Sequence, residues 1–103
     1  MKKSRNMVVV NVAMAAADTE YEYQFPANVE RFTMGLRDQT KAWRFSNLTS
    51  KVATPTEPYK TMPAGAEYEE QGLIMPIDNT VYFASGDAAQ VMEIVFWTAA
   101  ERN

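Results

Sequence analysis

The sequence has no cysteine and no histidine. Without cysteine no disulfide can form, which fits a reducing compartment. Without histidine the chain lacks the usual general base, the commonest metal ligand and the side chain that titrates near neutrality. Nucleophile–histidine pairs and the usual zinc sites are therefore excluded. Glycine is also scarce. Gly35, Gly65, Gly72 and Gly86 are isolated, so there is no Gly-rich phosphate loop. No apolar run approaches the roughly 20 residues of a membrane-spanning helix. Positive charge is short too: 10 Lys and Arg face 13 Asp and Glu, a net charge of −3 and a pI near 4.9. A surface that binds phosphate needs the opposite balance. Catalytic, cofactor and metal sites are thus not expected, nor is nucleic acid or a membrane as partner.

What remains is a chain of 103 residues, enough for one domain that buries about two thirds of its unfolded surface. Its charge is uneven. Lys2, Lys3 and Arg5 precede the first acid, Asp18. Setting those three aside leaves seven basic against 13 acidic residues, a net of −6. Residues 1–6 read as a basic arm. Lys2 and Lys3 followed by the run from Met7 to Ala17 have the outline of a signal peptide. Asn11 interrupts that run, however, and Val8, Val9, Val10 and Val12 favour a strand. The Asn47-Leu48-Thr49 glycosylation sequon carries no weight without secretion.

Short strand-type runs recur between turn residues. Met7 to Met14 is the first. Glu20 to Phe25 alternates, with Tyr21, Tyr23 and Phe25 on one face, and Pro26-Ala27-Asn28 ends it. Val29 to Arg37 alternates again, with Phe32, Met34 and Leu36 opposed to Arg31, Thr33, Gly35 and Arg37. Lys41 to Leu48 follows a short turn, and the two runs read as a β-hairpin. Pro55 and Pro58 confine their stretch to a loop or edge strand, with a short strand at Tyr59 to Met62. Pro63-Ala64-Gly65-Ala66 reads as a turn, and Glu67 to Glu70 lead into a strand at Gly72 to Met75; a helical turn or two over Ala64 to Gln71 competes but has no sustained helical repeat. Thr80 to Ser85 and Gln90 to Thr98 complete the set. About seven to nine short strands at this spacing predict an all-β fold, an antiparallel β-sandwich of jelly-roll or Ig-like type. It would occupy residues 7–98, with 99–103 as a tail.

Glu67, Glu69 and Glu70 are the densest acidic group. Adjacent residues of a strand face opposite ways, and no calcium-loop pattern is present, so they read as a solvated turn. Tyr21, Tyr23, Phe25, Trp43, Tyr82 and Trp97 could stack sugars. At strand spacing they read better as core, with Trp97 the exception to watch. Arg31, Arg37, Lys41 and Arg44 could form a basic stripe, although pairing with Glu20 or Glu22 accounts for them more simply.

The final strand is the strongest signal. Val91 to Trp97 has one charge, Glu93, among six apolar residues. One face holds Met92, Ile94 and Phe96, and the other holds Val91, Glu93, Val95 and Trp97. A strand of a small antiparallel sheet usually solvates one face. The second face therefore predicts a cover: the arm, another copy or a partner. Lys2, Lys3, Arg5, Val91, Val95 and Trp97 are the candidate partner-binding residues.

Several runs resemble small virion proteins of tailed bacteriophages. They are Tyr21-Glu-Tyr-Gln-Phe-Pro-Ala-Asn with Arg31 to Arg37, the turn Pro63 to Tyr68, the strand Thr80 to Ser85 and the closing run Val91 to Trp97. The resemblance implies a non-enzymatic virion component assembled in the host cytoplasm. The role it implies is a capsid decoration (cement) protein, a homo-oligomer that binds the major capsid protein shell and stabilises it. A head–tail connector or tail protein, or a carbohydrate-binding or host-attachment module of a fibre, are the alternatives.

Overall fold

The computed structural model describes residues 5–72 and 79–99. Eight strands run through them: β1 Arg5–Met14, β2 Tyr21–Phe25, β3 Val29–Leu36, β4 Trp43–Ser46, β5 Lys60–Met62, β6 Tyr68–Gln71, β7 Asn79–Ala84 and β8 Gln90–Ala99. They form two four-stranded sheets, ordered β1-β8-β3-β6 and β2-β7-β4-β5, and every pairing is antiparallel. The partners are nested: first with last, second with seventh, third with sixth, fourth with fifth. Such an order arises when one long antiparallel ribbon is folded across itself, so that β8 also meets β3 and β7 also meets β4.

The alternation read from the sequence sets the inner faces. Met92, Ile94 and Phe96 of β8 are buried, as are Met34 and Leu36 of β3 and Met14 of β1. Phe25, Trp43, Met62 and Phe83 answer them from the other sheet. Ring contacts cross between the sheets: Phe25 meets Phe96 edge-on at 5.6 Å and Phe32 at 4.7 Å, and Phe45 meets Tyr68 at 4.7 Å. The sheets therefore pack face to face as in a sandwich. A register shift between Val29 and Arg31 sets Glu30 aside as an extra residue. It turns Val29 inward although its parity is that of the outward residues.

Two expectations change, and one turn is found where the sequence placed it. The two arginine-bearing runs are not a hairpin, because β3 lies in one sheet and β4 in the other. Residues 37–42 cross between the sheets instead of returning along one. The turn read at Pro63 to Ala66 is present, and the competing helical turn over Ala64 to Gln71 is not. Pro63-Ala64-Gly65-Ala66 is a turn, closed by the Ala66 amide on the Pro63 carbonyl at 3.0 Å, with Gly65 at φ +80°. The acidic group belongs to strand β6, or in the case of Glu67 lies just ahead of it, rather than to a solvated turn. The strand read at Gly72 to Met75 lies outside the described residues beyond Gly72.

Candidate docking face

The two outward faces of the domain differ in how they are covered. Over the β2-β7-β4-β5 sheet, the chain covers itself with the long β4–β5 connection. Arg44, projecting outward from β4, donates from Nε to the Val52 carbonyl at 2.5 Å and from Nη2 to the Ala53 carbonyl at 3.0 Å. Its Nη2 also meets Asp18 at 2.9 Å. Glu20 accepts from the Thr49 hydroxyl at 2.8 Å and the Ser50 amide at 2.9 Å, and Ser46 Oγ donates to the Pro58 carbonyl at 2.8 Å. Val52 is fully buried by this loop, outside the core between the sheets.

The outer face of the other sheet carries no such loop among the described residues. The register aligns four outward rows: Met7, Val9, Asn11 and Ala13 on β1; Val91, Glu93, Val95 and Trp97 on β8; Arg31, Thr33 and Gly35 on β3; and Glu69 with Gln71 on β6. The β3–β6 side is charged and paired. Arg31 meets Glu69 at 3.0 Å and sits 4.6 Å from the centre of the Trp97 ring, a cation–π contact. Arg37 meets Glu93 at 2.7 Å. The β1 side bears no charge from Asn6 to Met14 and is apolar and open, with Met7 61% and Val9 58% exposed. Val8, on the inward face of the same strand, is 37% exposed.

Of the candidate partner-binding residues, Val91, Val95 and Trp97 share this face and are half-buried. Arg5 begins β1, whereas Lys2 and Lys3 lie outside the described residues. Met7 and Val9 belong to the same face but were not singled out. Their run of valines was visible, but only the pairing with β8 sets it beside Val95 and Trp97. The proposed basic stripe does not form. Arg31 and Arg37 lie on one sheet and Arg44 on the other, and Lys41 pairs with Asp87 at 3.7 Å. The acids that answer them are Glu69, Glu93, Asp87 and Asp18, not Glu20 or Glu22. The aromatic platform is likewise dispersed: Phe25 and Trp43 are buried, Tyr21 and Tyr23 pack on the core, and Tyr82 faces outward on the other sheet opposite Glu22.

One cleft of about 230 Å³ opens between the sheets, lined by Phe25, Phe32, Phe45, Tyr68, Glu70 and Val81 among others. Glu70, half-buried on the inward face of β6, accepts from the Tyr68 hydroxyl. That hydrogen bond, with burial and the nearby carboxylate charge, pushes the Tyr68 pKa up to about 12. Among the described residues no group of three acidic side chains could hold a metal ion. No described helix is long and apolar enough to cross a membrane. No protein-family model, curated protein or solved structure matches the chain.

Proposed function

We propose that this chain is a non-enzymatic structural protein of a tailed-bacteriophage virion, a capsid decoration protein that docks through the outer face of its β1-β8-β3-β6 sheet. The observation that carries this reading is the unequal covering of the two outer faces. One is covered around Arg44 by the chain's own loop, with the polar Glu22, Gln24 and Thr61 left exposed beside it, and the other offers Met7, Val9, Val95 and Trp97 beside a rim of paired charges. An apolar centre with a polar, charged rim is the anatomy of a protein-binding surface. The nested strand order supports a jelly-roll domain, an architecture of eight strands that recurs in viral capsids. The kind of particle is suggested by the resemblance of residues 20–97 to small virion proteins, read from the sequence.

Co-sedimentation tests the reading. Purified protein is mixed with empty shells of the phage that encodes it. Saturable binding in fixed proportion to the major capsid protein is expected. Binding to isolated tails but not to shells would move the role to the tail, and binding to neither would reject it.

A further inference from the structure

We infer that the free edge of β1 pairs with β1 of a second copy, antiparallel about a two-fold axis near Val9, to make one continuous eight-stranded sheet. This deepens the assembly reading by naming the oligomer contact, and rests on that reading only for the expectation of an oligomer.

The four sheet edges differ in how they are protected. A free edge invites another strand, and proteins normally blunt it by shortness, charge or proline. The β5 edge has three residues, carries Lys60 and is flanked by Pro58 and Pro63. The β6 edge has four residues and carries Glu69 and Glu70. The β2 edge has five residues, carries Glu22 and stops at Pro26. The β1 edge has ten residues. From Asn6 to Met14 it has no charge, proline or glycine, and no described strand pairs with its other side.

The outer face of that edge is open at Met7 and Val9, and the inner face is open at Val8, whereas Val10 and Val12 pack on the core. A partner lying flat on the sheet would cover one face only. A strand added alongside brings neighbours to both faces.

A second copy is the occupant this edge fits. A two-fold axis perpendicular to the sheet keeps outer residues beside outer residues. Centred on Val9, it sets Val9 against its own copy, Met7 against Asn11 and Arg5 against Ala13. Valine pairs are good cross-strand neighbours. The two Arg5 residues fall at opposite ends, so no like charges meet, although the molecule as a whole is acidic. The axis also joins the two Met7–Val9–Val95–Trp97 patches into one.

The natural absence of cysteine permits a direct test. Val9→Cys, Val95→Cys and Leu48→Cys are made singly and oxidised gently, after sedimentation has given the mass of the parent protein. The expected parent mass is twice 11.6 kDa. Val9→Cys should form a disulfide-linked dimer at least about tenfold faster than exposed Leu48→Cys, because paired strands hold the thiols at millimolar effective concentration. Val95→Cys should lag, since three strand spacings of about 4.8 Å separate the two copies, beyond disulfide reach. Val9→Lys should give a folded monomer. A parent mass of 11.6 kDa, a Val9→Lys protein that still dimerises, or Val9→Cys no faster than Leu48→Cys would each overturn the pairing. A monomer that binds shells would leave the virion role standing, and a dimer that ignores them would remove only that role.

Discussion

At the scale of residues, neighbours on the last strand have opposite surroundings. Ile94 is fully buried between the sheets, while Val95 is half-buried on the outer face, opposite Val9 and Thr33. Ile94→Asp places an unpaired charge in the core, at a cost of several kcal/mol, and should unfold the domain. Thermal melts of Ile94→Asp and Val95→Asp should differ widely, and equal collapse would mean that both faces are core. Arg44 is a different case. Its two carbonyl contacts and Asp18 pin a loop that would otherwise leave the sheet. Arg44→Ala should lose about 2–3 kcal/mol, and Arg44→Lys should recover little, since an ammonium cannot span the fork. A change below about 0.5 kcal/mol by denaturant titration would show the loop held by something else. Tyr68 gives a pH signature. Its pKa rises from 10.0 to about 12, chiefly because its hydroxyl donates a hydrogen bond to Glu70. The stability it contributes is complete below pH 10 and is lost as pH rises through about 12. Ultraviolet titration should show one late tyrosine that Tyr68→Phe removes; a wild-type profile without it would contradict the contact.

At the scale of elements, the strands that alternate were legible and their partners were not. Tyr21, Tyr23 and Phe25, or Phe32, Met34 and Leu36, announce a face by spacing alone. Nothing local says that Arg5 lies beside Ala99, or that β3 pairs with β8 rather than β4. A short connection resembles a hairpin turn whether it returns along a sheet or crosses to another. Tyr68-Glu-Glu-Gln has no apolar run, so its strand was invisible. An edge position tolerates those charges, and Arg31 answers Glu69 there. The covering loop was equally hidden, because Val52 alone among polar neighbours gives no period. Its hold on the sheet is testable. Glu20→Ala removes the acceptor of the Ser50 amide. Exchange at Ser50 should then accelerate severalfold while β2–β7 amides stay protected. Unchanged protection at Ser50 would remove Glu20 from the account.

At the scale of the molecule, the nested order brings the first and last described strands together in one sheet, since β1 pairs with β8 along its whole length. Few of its contacts can form before distant segments meet, so refolding in milliseconds to seconds is expected, and microsecond folding by stopped-flow or temperature jump would contradict the topology. The same order leaves two sheets with unlike exteriors, one polar and partly covered by the β4–β5 loop and one with an open apolar side. We propose that the open face of β1 and β8 is where the virion is met. The most direct test is quantitative binding of wild type and Val95→Asp to empty shells, with each variant's melting temperature measured alongside. Saturable wild-type binding, lost in a Val95→Asp protein that remains folded, is the predicted result. Equal binding by the folded variant would contradict it.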